Sequence, residues 1–177
     1  MRRTLYGPDH EAFRESAREF VNRSILPVAE KLIDQRFIDR EIWLEAGRNG
    51  FLGLEVPEAY GGSEAGDYRF NAVLAEELSR ASAAVASSFG IHADVVAPYL
   101  VQLTTEEQKQ RWLPKFCTGE MLTAIGMTEP SGGSDLASLK TTAVKDGDHY
   151  VINGQKTWTT LAQYADWGFF LCRTDPD

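Results

Sequence analysis

The sequence predicts an α+β protein, helical through its first two thirds and β-rich afterwards. Apolar residues recur at three- and four-residue spacing from Phe13 to about Phe116, the period of helices with one buried face. After Gly119 the period shortens toward two, and the turn pairs Asp146-Gly147 and Asn153-Gly154 punctuate the apolar runs as hairpin signals. The 177 residues are 43% hydrophobic and 25% charged, the balance of a globular chain long enough to bury about 70% of its unfolded surface. The boundary falls near residue 118, which makes 1–117 a helical domain and 118–177 the start of a β domain.

Asp9 is a candidate cap for a first helix carrying Phe13, Ala17, Phe20, Val21 and Ile25 on one face, bent or ended by Pro27. A second helix is expected from Val28 to about Phe37, and a third from Asp39 to Arg48 with Asn49-Gly50 as its C-terminal cap. Gly53 to Ser63, rich in proline and glycine, reads as an ordered loop. Phe70, Val73, Leu74, Leu78, Ala81 and Val85 trace one long helix. Ile91 to Leu103 is a further apolar segment, interrupted by Pro98. Thr104 with Glu107 and Thr105 with Gln108 are overlapping capping boxes for a helix running through Trp112 toward Phe116. Strands are then expected at Leu122–Thr128, Leu139–Lys145, His149–Ile152, Gln155–Thr160 and Trp167–Arg173.

Lys and Arg total 18 against 26 Asp and Glu, a net charge of −8, which disfavours non-specific binding to nucleic acid or anionic membranes. Cys117 and Cys172 match no zinc or disulfide framework and are expected reduced and buried. The start, Met1-Arg2-Arg3, has no apolar run behind it, and no segment is expected to span a bilayer, so a cytoplasmic location is expected by default. Three scattered histidines do not compose a metal site: His92 reads as a packing or capping group, His10 and His149 as solvent-facing.

Two segments can carry chemistry. Gly126-Met127-Thr128-Glu129-Pro130-Ser131-Gly132-Gly133-Ser134-Asp135 joins the helical and β regions, and its paired glycines and hydroxyls can offer backbone N–H groups to an anion or form a tight structural turn. It has neither the Gly-Lys-Ser/Thr of a phosphate loop nor the G-x-G-x-x-G of a dinucleotide turn. In Gln155 to Thr160, strand alternation would put Trp158 and Thr160 on one face, where an aromatic beside a hydroxyl can cover and hydrogen-bond a planar cofactor or simply pack the sheet.

Those segments resemble the acyl-CoA dehydrogenase family. Gly126-Met127-Thr128-Glu129-Pro130 with Gly133-Ser134-Asp135 is similar to its first signature, and Ile152-Asn153-Gly154-Gln155-Lys156 with Trp158 and Thr160 to its second flavin-contacting stretch. Pro57-Glu58-Ala59-Tyr60-Gly61-Gly62 and Glu106-Glu107-Gln108-Lys109-Gln110-Arg111-Trp112-Leu113-Pro114 add two further matches in order. The resemblance implies an all-helical N-terminal domain and the beginning of a β-barrel-like middle domain, with the family's C-terminal helical domain absent from these residues.

It also implies FAD as cofactor and α,β-dehydrogenation of an acyl-CoA thioester, part of fatty acid and lipid metabolism. A carboxylate removes the α-proton, a hydride passes to the flavin, and an electron-transferring flavoprotein takes the electrons. Members usually form homotetramers. Ile125, Met127 and Thr128 would border the flavin ring and acyl pocket, Gly133 and Ser134 would adjoin the flavin phosphates, with Ser134 also beside the thioester substrate, and Trp158 and Thr160 would pack against and hydrogen-bond the ring. The family's catalytic base usually lies in the C-terminal domain, so no residue here takes that role, and Glu129 is read as holding its loop. Thr159-Thr160-Leu161 and Ser131-Gly132 depart from the residues most common in the family, both by sterically small changes. A non-catalytic helical interaction module or partner subunit, or a related flavin oxidase or monooxygenase, are the alternatives.

Overall fold

The computed structural model describes residues 4–175 and divides after Leu122 into a helical and a β unit. Helix α1 (Pro8–Phe20) starts earlier than expected, with Gly7 rather than Asp9 as its cap. Pro8 suits the first helical position because its missing N–H has no partner there in any helix. His10 is buried, not solvent-facing. Its Nδ1 accepts the Gly7 N–H at 3.1 Å, which leaves Nε2 to donate to Asp67 at 3.2 Å.

Two helices negotiate a proline by widening. A π-helical turn at Val21–Ile25 stands one residue before Pro27, and another at Ile91–Val96 stands one residue before Pro98. Proline cannot donate to the ladder and its ring crowds the carbonyl four residues back, so a wider turn relieves the clash without ending the helix. A 3₁₀ turn (Leu26–Val28) leads into α2 (Ala29–Gln35), and α3 (Arg40–Arg48) follows, with Gly50 at positive φ just beyond it.

The long helix expected through Val85 is two helices, α4 (Arg69–Ala81) and α5 (Ala83–Gly90), parted by an extended Ser82. Apolar periodicity runs on across the break because both helices bury the same kind of face. Conversely α5 continues through the π turn into α6 (Ala97–Leu103), where Pro98 was expected to interrupt. Ala83–Leu103 is 21 residues long and apolar enough to cross a membrane by length and composition, although no such segment was expected. Val85, Phe89, His92, Val96 and Leu100 along it are buried in the helical core, the pattern of a core helix. Helix α7 (Glu106–Thr118) begins with the second of the two capping boxes: Thr105 and Gln108 exchange hydrogen bonds, and Thr104 donates instead to the Leu100 carbonyl.

The core gathers Phe20, Trp43, Phe51, Leu52, Leu78, Leu113 and Phe116. His92 is a packing group here, its ring stacked 4.0 Å from Phe116 and its Nε2 bonded to the Phe116 carbonyl at 3.2 Å. Across α1 and α4, Glu77 is 2% exposed and binds Arg14, Arg18 and Arg80. Hydrogen bonds from Arg18 first, then Arg80 and Arg14, outweigh burial and hold its carboxyl at about 2.

In the β unit, β1 (Thr123–Gly126) pairs in parallel with β4 (Trp167–Phe170), and β2 (Thr142–Asp146) pairs antiparallel with β3 (His149–Asn153) around Gly147. The barrel-like middle domain is therefore corrected: the described residues form two separate open two-stranded sheets and no closed barrel. Closure requires an unbroken circuit of paired, tilted strands, which two pairs cannot supply. Gln155–Thr160 is no strand either: Trp158 within it takes a positive φ of +58°, and the alternation expected of Trp158 and Thr160 has no strand to rest on.

Candidate functional site

The two signature segments meet at a buried junction in the β unit. Ile125 lies half-buried on β1, opposite Phe169 of β4, and the chain leaves the strand through Met127 and Thr128. The Thr157 N–H donates to the Thr128 carbonyl at 2.9 Å, and Lys156 Nζ donates to the Met127 carbonyl at 3.1 Å. Segments some thirty residues apart are thereby held side by side by one backbone hydrogen bond and one from a lysine side chain.

Glu129 closes the loop that follows. Its Oε2 accepts the Lys140 N–H at 2.7 Å, and its Oε1 accepts the Thr141 N–H at 2.8 Å and Lys156 Nζ at 2.9 Å. The Lys156 and Glu129 side chains are 6% and 5% exposed. With the Thr141 side chain, the Lys140 amide and the Lys156 ammonium all facing it, the Glu129 carboxyl is held at about 2. The Thr141 hydroxyl closes no hydrogen bond of ordinary geometry, so the directional hold comes from the two amides and the ammonium. A carboxylate so fixed is a loop anchor and a poor proton acceptor. Gly133 and Ser134 are carried on the exposed part of the loop it closes.

Directly after Lys156 and Thr157, Trp158 is 90% exposed and left-handed in backbone conformation. A bulky aromatic at positive φ is strained, and so large an apolar surface is seldom left in water. With Glu129, Pro130 and Thr157 it lines an open hollow of about 540 Å³. Thr160, half-buried, sits in the turn beyond it. A larger hollow of about 680 Å³ is lined by Ala124, Ile152, Lys156, Ala162, Asp166 and Phe170 among others, but by none of the seven predicted site residues.

The Lys156–Glu129 pair is the part of the site that sequence reasoning missed. Both residues stand within the quoted segments, and their opposite charges were the available signal, but nothing in a linear spacing of 27 residues joins them. Cys117 is buried as expected, whereas Cys172 is only half-buried; both are free thiols. Among the described residues no cluster of three or more His, Cys, Asp or Glu side chains could hold a metal.

Residues 7–120 match the model of the acyl-CoA dehydrogenase N-terminal domain, and residues 124–177 that of the acyl-CoA dehydrogenase middle domain. Isovaleryl-CoA dehydrogenase, mitochondrial, from Bos taurus is 39% identical over 94% of this chain, which spans 39% of that relative's length. The crystal structure of an acyl-CoA dehydrogenase from Geobacillus kaustophilus superposes with a TM-score of 0.92 at 44% identity, covering 98% of this chain and 45% of that one. An acyl-CoA dehydrogenase from Bacillus anthracis, complexed with FAD, superposes with a TM-score of 0.84 at 35% identity, covering 94% and 29%. The cytoplasmic expectation is corrected by these likenesses, since the animal and plant relatives are named as mitochondrial proteins and the absence of an apolar run after Met1 does not decide a compartment. Two family models in their expected order, together covering nearly every residue, leave one conclusion: the chain belongs to the acyl-CoA dehydrogenase family.

Proposed function

We propose that this chain supplies the first part, residues 1–117 as helical domain and 118–177 as partial middle domain, of an FAD-dependent acyl-CoA dehydrogenase. The observation that carries the reading is the junction at which Thr157 bonds Thr128 and Lys156 bonds Met127, because it sets both signature segments beside the uncovered Trp158. A planar, mostly apolar ring system fits that aromatic: stacking on it would remove the exposed indole from water. Bound FAD would supply the hydride acceptor, a capacity that side chains lack.

The chain's own residues would then orient and enclose. Ile125, Met127 and Thr128 would border the ring and the acyl group, and Trp158 would cover it. Thr160 would offer a hydroxyl to the ring edge. Gly133 and Ser134, small and exposed, would let the backbone approach a phosphate, with Ser134 also beside the thioester. None of these residues is a proton acceptor, and Glu129 is held ionised by its three partners, so none of them is assigned the role of base. Family membership supports an acyl-CoA as reductant and an electron-transferring flavoprotein as acceptor, and a homotetrameric assembly completes the proposal.

The test is flavin titration of the purified full-length product, followed by anaerobic addition of a series of acyl-CoA thioesters. Uptake of FAD and bleaching of its visible band by at least one thioester is the expected outcome. A protein that takes up no flavin overturns the reading.

A further inference from the structure

We infer that Lys156 is a positioning residue of the flavin site, its buried ammonium locking the two signature segments and the Gly133-Ser134 loop into one rigid body through Glu129. The inference rests on the flavin reading above and adds to it a residue that would act through the segments it ties together. Three sets of contacts converge on this side chain. Its Nζ bonds Met127 O at 3.1 Å and Glu129 Oε1 at 2.9 Å, so a single cation spans the first segment at two points. Through Glu129 it is linked to the amides of Lys140 and Thr141, which end the loop that begins at Glu129. Its own backbone neighbour, Thr157, donates to Thr128, and the next residue is the strained, exposed Trp158.

The chemistry favours lysine here for a reason of shape. A compact ammonium with three rotatable donors can serve a carbonyl and a carboxylate lying on different sides, whereas a planar guanidinium fixes its donors in one fork. At 6% exposure the cation has given up most of its water, and the two protein oxygens replace it. Removing it would leave Glu129 charged and dry against two amides, with the Met127 carbonyl unpaired. The segments would then be free to separate by the small displacements that a stacking surface does not tolerate.

The experiment compares the wild-type full-length protein with Lys156→Met and with the double variant Lys156→Met/Glu129→Gln, reading amide hydrogen exchange and FAD dissociation constants. Expected for Lys156→Met is exchange at least tenfold faster at the Lys140, Thr141 and Thr157 amides, with the Val144 and Val151 hairpin amides unchanged, and FAD bound at least tenfold more weakly. The double variant should be no worse than Lys156→Met, because the two residues act as a unit. Hairpin amides that stay protected show that a variant has folded. Unchanged exchange at the three amides, acceleration spread evenly over the β unit, or an unchanged FAD dissociation constant overturns the inference alone. A wild-type protein that takes up no flavin overturns the flavin reading and this inference with it.

Discussion

Trp43 of α3 and Phe89 of α5 stack face to face, ring centroids 4.4 Å apart and planes within 12°, with the two side chains 0% and 1% exposed. Phe89→Ala would empty the space against the indole, and truncation of a fully buried phenylalanine costs about 3–5 kcal/mol. Leu103→Ala, at a position 75% exposed, should change stability by less than about 0.5 kcal/mol. Urea unfolding followed by tryptophan fluorescence and far-UV circular dichroism separates the two; equal midpoints for both variants would contradict the assigned core.

Glu77 joins α1 to α4 as the shared acceptor of three arginines. Glu77→Gln removes the counter-charge shared by Arg18 and Arg80, while Arg14 keeps Glu76 and Glu11, and should cost about 3 kcal/mol. The pH dependence has a definite sign. Since the folded carboxyl sits at about 2, below its ordinary 4.5, its contribution is full above that ordinary value, falls as pH drops between the two and is gone below about 2. Thermal melts of wild type and Glu77→Gln from pH 7 to pH 2 should therefore converge at the acid end, and a constant gap would refute the assignment.

Two glycines in or next to helices should respond oppositely to alanine. At Gly90 the backbone is helical, φ −60°, and an added methyl meets nothing within 4 Å, so Gly90→Ala should stabilise by about 1 kcal/mol through reduced unfolded-state freedom. At Gly47 the methyl would overlap the Thr118 carbonyl, where α3 approaches the end of α7, so Gly47→Ala should destabilise by about 1–3 kcal/mol. Melting temperatures that move in the same direction would count against this packing.

Burial pushes the Cys117 thiol up to about 12, leaving almost no thiolate at neutral pH, while Cys172 is half-exposed. Iodoacetamide at pH 7.5 should modify Cys172 first and reach Cys117 only under denaturing conditions. Peptide mapping by mass spectrometry checks the order, and native labelling of Cys117 ahead of Cys172 would contradict it.

The helices were legible because a buried stripe imposes its period on the sequence, and the overlapping Thr104 and Thr105 boxes placed the start of α7 within one residue, the structure selecting Thr105. The Asp146-Gly147 pair likewise marked its hairpin. Legibility failed where backbone conformation departs without a compositional sign. Nothing in Arg80-Ala81-Ser82-Ala83 announces an extended Ser82, and Trp158 is the last residue type from which positive φ would be guessed. His10 was misplaced for a different reason: its burial depends on Gly7 and on Asp67, 57 residues away, and a partner at that distance leaves no local pattern. The candidate site divided in the same way. Its segments could be read from residue order, whereas the Lys156–Glu129 pair that joins them became visible only in three dimensions.

The pairing of Thr123 with Trp167 also sets a timetable for the β unit. The β2–β3 hairpin needs only its own turn and can close within microseconds, but the parallel β1–β4 ladder must wait until the whole intervening chain has been drawn together. Met127 and Thr128 hang directly from β1, so the junction with Lys156 and Thr157 belongs among the late events. Anything that slows closure of that one ladder should therefore delay assembly of the junction as well.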